Sequence, residues 1–94
     1  LFLGFLPKKD GKKLELLGSV KNSRNQIKST IVIYESPYRV IKTLNLIKDV
    51  FGDIDVVACR ELTKMHEEVV RGKVSDAILS FGKKAPKGEF VILF

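Results

Sequence analysis

The sequence predicts an α/β fold: a mixed sheet of about five strands, with elements in the order β-α-β-α-β-β-α-β. Two observations carry this expectation. Short apolar runs alternate with longer segments whose apolar residues recur at three- and four-residue spacing, the pattern of strands interleaved with covering helices. One stretch, Glu67–Val74, instead alternates with period two and follows a strand with no helix between them, so one antiparallel pair is expected.

Phe2–Phe5 reads as a short strand around Gly4. Asp10 suits the cap of a helix over Gly11–Asn22 with an apolar stripe of Leu14, Leu17 and Val20; Gly18 weakens it and Asn22–Asn25 ends it. Thr30–Tyr34 is dense in β-branched residues and predicts a strand. Ser36-Pro37 then reads as a helix start, Ser as N-cap and Pro at the first helical position. That helix extends to Phe51, with Val40, Ile41, Leu44, Ile47, Val50 and Phe51 on one face and Gly52 as its stop. Asp55–Cys59 is the next strand, and Glu67–Val74 is expected to pair with it. Ser75 suits the cap of a last helix, Asp76–Phe81, before a closing strand, Gly88–Phe94.

The 94 residues, 45% apolar, make one small domain able to bury roughly 65% of its unfolded surface. The single cysteine, Cys59, excludes a disulfide framework, and one His with one Cys excludes a zinc site. No apolar run approaches the ~20 residues of a membrane span. The chain starts and stops in apolar strands, so an excised piece of a longer protein is expected. Net charge is +6, and residues 1–28 carry +5 of it through Lys8, Lys9, Lys12, Lys13, Lys21, Arg24 and Lys28 against Asp10 and Glu15. A basic face suits a polyanion such as RNA, although a solvated lysine-rich surface explains the charge alone more economically.

No phosphate-binding glycine motif and no metal-ligand spacing is present. His66 lies in a polar stretch and reads as a surface residue, and Cys59 as a small buried one. Two clusters remain. Tyr34-Glu35-Ser36-Pro37-Tyr38-Arg39 and Arg60-Glu61-Leu62-Thr63-Lys64-Met65-His66-Glu67-Glu68 each follow a strand directly. The carboxyl ends of strands are where open α/β sheets bind ligands. A capped helix and surface ion pairs would account for either cluster singly, less easily for both.

Four segments, Gly4–Lys9 (GFLPKK), Tyr34–Arg39 (YESPYR), Arg60–Gly72 (RELTKMHEEVVRG) and Lys87–Val91 (KGEFV), resemble the 16S ribosomal RNA cytidine 2′-O-ribose methyltransferase family of the tetrapyrrole-methylase-like class, in the family's order and spacing. The resemblance covers nearly the whole chain. It departs at Tyr38, where the family usually has His, and at Cys59, where it usually has Ala. A Tyr with a pKa near ~10 is a poor base at neutral pH, so Tyr38 is not assigned that role.

The resemblance implies that residues 1–94 are the C-terminal half of a two-domain enzyme, the C-terminal subdomain of the tetrapyrrole methylase fold, lacking the N-terminal donor-binding half. The implied reaction is methyl transfer from S-adenosylmethionine to a cytidine 2′-hydroxyl of 16S ribosomal RNA, without a metal, in a cytoplasmic homodimer acting on the small ribosomal subunit. Leu6, Pro7, Glu35, Glu61 and Gly88 would approach the donor. Lys8, Lys9, Arg39, Arg60, Lys64 and Arg71 would hold RNA phosphates. Either Glu61 or Lys64 would accept the proton. Lys12, Lys13 and Lys21 would add at most diffuse attraction. A tetrapyrrole (corrin or porphyrin) methylase is the enzymatic alternative, but would carry Met-Gly after Tyr34, where Glu35-Ser36 stands. A non-catalytic basic RNA-binding module would need aromatics among residues 8–28, and there are none.

Overall fold

The computed structural model describes residues 1–24, 30–60, 67–83 and 88–94. The elements are β1 (Phe2–Phe5), α1 (Asp10–Arg24), β2 (Val32–Glu35), α2 (Val40–Phe51), β3 (Asp55–Arg60), β4 (Glu68–Lys73), α3 (Val74–Gly82) and β5 (Phe90–Leu93), in the order the sequence predicts. The strands form one sheet, β1-β2-β5-β3-β4. β1 runs parallel to β2, and every other neighbour is antiparallel, including the expected β3–β4 pair.

Burial alternates along the strands because successive side chains leave a strand on opposite faces. Ile33, Val56, Ala58, Phe90 and Ile92 share one core with Leu17 and Val20 of α1, Val40, Leu44 and Ile47 of α2, and Val74, Ala77 and Phe81 of α3. All three helices therefore pack on one face of the sheet. The opposite face carries two cross-strand rows. Phe2, Val32, Leu93, Val57 and Arg71 are in register in one; Phe5, Tyr34, Val91, Cys59 and Val69 in the other. No described element covers these rows, and Phe2, Phe5, Tyr34 and Val69 are exposed on them. Tyr34 meets Phe2 and Phe5 edge-on, with ring centroids 5.2 and 5.7 Å apart.

Several boundaries depart from expectation. α2 starts at Val40, not Pro37. Residues 37–39 form a turn closed by the Arg39 N–H on the Ser36 carbonyl (3.1 Å), and the Ser36 hydroxyl makes no cap bond. The Ser36 N–H goes instead to the Glu35 carboxylate (2.9 Å), so the acid before the expected cap organises the turn. α3 starts at Val74. There Asp76 accepts the Lys73 N–H (2.9 Å), while both donors of Ser75 go to Asp53. Gly72 precedes this cap at φ +155°, and a Cβ on it would lie 2.8 Å from an Asp76 carboxylate oxygen, so any other residue would be strained and would push the capping carboxylate aside.

α1 starts at Asp10 itself and passes through Gly18 to Arg24. Its buried positions are Lys13, Leu17 and Val20, while the expected Leu14 is 46% exposed. Lys13 is thus not a surface lysine. Arg24 is withdrawn from the basic face too, lying over the rings of Phe51 and Phe94 at 6.0 and 5.6 Å. Among the described basic residues of that segment, Lys8, Lys9, Lys12 and Lys21 are exposed. No helix among the described residues is long and apolar enough to cross a membrane.

Candidate functional site

The strand registers bring the sequence motifs to one end of the sheet. Glu35, the last residue of β2, pairs with Phe90, the first of β5; Phe90 pairs with Arg60, the last of β3; and Arg60 pairs with Glu68, the first of β4. Phe5 ends β1 beside Tyr34. Leu6-Pro7, the Ser36–Arg39 turn, Arg60 and Gly88-Glu89 therefore leave the sheet at the same edge, although Leu6 and Glu89 stand at opposite ends of the sequence.

A buried polar network stands behind this edge. Glu35, 2% exposed, is held through both carboxylate oxygens. One accepts from the Ser36 N–H and from Arg39 Nε (3.3 Å). The other accepts from the Thr43 hydroxyl at 2.6 Å and lies 3.7 Å from Lys13 Nζ. The Thr43 hydroxyl in turn accepts from Lys13 Nζ at 3.0 Å. Lys13 and Thr43 are 1% and 0% exposed, so the charges face each other out of water. Hydrogen bonds to both partners offset the cost of burying such a pair, and removing one partner strands the other at a cost of about 3–5 kcal/mol. Nearby, Lys42 Nζ reaches Asp10 at 2.6 Å and ties the first turns of α1 and α2 together.

The expected donor-contacting residues divide. Leu6 is buried in the core, Pro7 is exposed and Gly88 is half-buried at φ +82°. The Glu35 side chain is committed to the network. Of the expected RNA contacts, Lys8, Lys9 and Arg71 are exposed. Arg39 is one-third exposed beside Glu35, and Arg60 lies 3.8 Å from Glu68. Arg71 belongs to the open-face row rather than the strand-end edge. Glu61, Lys64 and His66 lie outside the described residues. Sequence reasoning missed Lys13 and Thr43. The available signal was the i, i+4, i+7 spacing of Lys13, Leu17 and Val20.

One polar atom at this edge is unspent. Ser36 Oγ is buried and has no hydrogen-bond partner among the described residues. A buried hydroxyl without a protein partner is rare in a folded protein and calls for an explanation, such as an ordered water or another polar group. Cys59, the buried member of the second open-face row, has its thiol pushed up by burial, so it is held as the unreactive thiol. No group of His, Cys, Asp and Glu able to hold a metal ion exists among the described residues.

Solved structures share this architecture. The chain superposes over 99% of its length on 39% of cobalt precorrin-4 methyltransferase CbiF (TM-score 0.61, 19% identity) and on 39% of the methyltransferase CobJ (TM-score 0.58, 13% identity). The fold is that of part of a tetrapyrrole methylase. No family model matches. Individual proteins do: ribosomal RNA small subunit methyltransferase I of Thermotoga maritima is 43% identical over 93 residues, that of Streptococcus pyogenes serotype M1 39% over 94, and that of Bacillus subtilis 34% over 92. These matches take in 98–99% of the chain but only 40%, 31% and 30% of those relatives. Over nearly its whole length the chain is thus homologous to proteins named ribosomal RNA small subunit methyltransferase I, and it spans well under half the length of these relatives.

Proposed function

We propose that the chain is the C-terminal half of an S-adenosylmethionine-dependent methyltransferase that modifies a cytidine ribose 2′-hydroxyl in 16S ribosomal RNA. The observation that carries this reading is the register Glu35–Phe90–Arg60–Glu68, which gathers three of the four family-like segments at one sheet edge, with Phe5 beside Tyr34 bringing the fourth. The names of the relatives, ribosomal RNA small subunit methyltransferases, support the substrate class.

S-adenosylmethionine bound along this edge would supply an electrophilic methyl group. The partnerless Ser36 hydroxyl fits a polar group of such a molecule, and Gly88 leaves the backbone bare for close approach. Pro7 and Leu6 would supply apolar contact. Lys8, Lys9, Arg39 and Arg60 would hold phosphates and so fix the ribose; Arg71 would add a contact outside the edge. Orientation of the 2′-oxygen in line with the methyl carbon supplies most of the rate in this scheme, and its proton passes to Glu61 or Lys64. The protein is read as cytoplasmic, and a second copy of it as the partner that covers the open sheet face.

The test is incubation of the full-length enzyme with S-adenosylmethionine and small ribosomal subunits lacking the modification. Nucleoside mass spectrometry should find a new 2′-O-methylcytidine; methylation of a base, or of a corrin and not of the subunit, would overturn the reading. The 94-residue chain alone, offering one wall of a two-domain cleft, should bind the donor far more weakly than the whole enzyme in calorimetry.

A further inference from the structure

Lys13 lies 22 residues before Glu35 and outside every segment that resembles the methyltransferase family, yet it is the most deeply engaged cation of the described residues. Its ammonium donates to Thr43 Oγ1, Thr43 donates to Glu35, and Glu35 holds Arg39 Nε and the Ser36 N–H. The relay runs from the core of α1, through α2, to the turn that carries the basic side chain at the sheet edge. Burying an ammonium and a carboxylate is unfavourable unless both are fully hydrogen-bonded, and packing alone would be served as well by apolar residues at these positions. A polar relay that ends on a turn confers a defined turn geometry, which an apolar replacement would not.

Resting on the reading of the chain as half of an RNA methyltransferase, we infer that Lys13 and Thr43 are positioning residues for RNA. They keep the Glu35 carboxylate in place, and it sets the guanidinium of Arg39 and the Ser36–Arg39 turn. Neither residue touches substrate. Their effect on methyl transfer passes through Arg39.

The experiment is a double-mutant cycle in the full-length enzyme, with single-turnover methylation of small ribosomal subunits expressed per folded enzyme, the folded fraction being read by near-UV circular dichroism. Thr43→Val preserves shape and cuts the relay; Thr43→Ser preserves the relay. Thr43→Val should lower kcat/KM roughly ten- to a hundredfold, as small misplacements of a binding group do. Thr43→Ser should stay within about twofold of the wild type, in the range of a substitution that breaks no network. In an Arg39→Ala background, Thr43→Val should have little further effect, because residues acting through one another are non-additive. Lys13→Met, cutting the relay one step earlier, should follow Thr43→Val and serves as the second variant if that one folds poorly. Equal fractional losses in both backgrounds would overturn the inference and leave the network a purely structural one. Absence of methylation by the wild-type enzyme would instead overturn the functional reading, and the inference with it.

Discussion

Ser75 spends both of its donors on Asp53: its backbone N–H reaches one carboxylate oxygen at 2.8 Å and its hydroxyl the other at 2.6 Å. The contact ties the β3 approach to the first turn of α3. The hydroxyl bond, followed by the backbone bond, pulls the Asp53 carboxyl below the usual aspartate range. A depressed folded pKa means that the folded state favours the ionised form. Its contribution is therefore present above the unfolded value of about 3.9 and is lost as the pH falls through the folded value. Asp53→Asn should lower the thermal midpoint at pH 7, and the gap to wild type should close as the pH is taken below about 3.9. A gap independent of pH would mean that the charge is immaterial.

Neighbouring residues of β5 face opposite environments. Ile92 is fully buried under the helices, and Leu93 sits on the open face. Ile92→Ala should cost about 2–5 kcal/mol in urea unfolding. Leu93→Ala should cost clearly less in the isolated chain, where part of that side chain already meets water. Equal costs would show that the open face is covered.

That face predicts association. Exposed contiguous apolar surface generally pairs, and here Phe2, Phe5, Tyr34 and Val69 are bare on one side of one sheet. Sedimentation should show the isolated chain dimerising or aggregating, and Val69→Lys should shift it towards monomer with little change in melting temperature. A wild-type monomer at high concentration would count against a second copy as the occupant.

Charge substitutions in the full-length enzyme should separate by place. Arg39→Ala and Arg60→Ala, at the sheet edge, should depress methylation at low and high salt alike. Lys12→Ala and Lys21→Ala, exposed on α1, should act only as a rise in ionic strength does, because steering charges are screened over about 8 Å at 0.15 M salt. Losses from both pairs that vanish at low salt would remove Arg39 and Arg60 from the site.

Element order was legible because period two and period 3.6 differ strongly, even though Glu35 in β2 and Thr43 in α2 are polar residues at buried positions. The strand-end motifs were legible too, and the registers show how residues so distant in sequence come to lie together. Two things were not. A lysine at position 13 reads as solvent-facing until α1 is laid against α2, since its counter-ion Glu35 and its bridge Thr43 come from other elements. Ser36-Pro37 carries the residue types of a helix start, but the preceding carboxylate captured the Ser36 amide and moved the start to Val40. Both misreadings have one origin: a buried acid whose partners are set by tertiary packing rather than by neighbours in sequence.

Among the described strands β5 comes last in sequence and stands in the middle of the sheet. During synthesis, β1–β2 and β3–β4 leave the ribosome as two separate pairs with no hydrogen bond between them, each with an edge awaiting Phe90–Leu93. Folding is thus committed only when those four residues emerge, and contacts between β2 and β5 close a loop of more than fifty residues in one late step, the kind of non-local event that slows folding. Until then the partly formed sheet exposes two unpaired strand edges, the kind of surface on which mispairing and aggregation start.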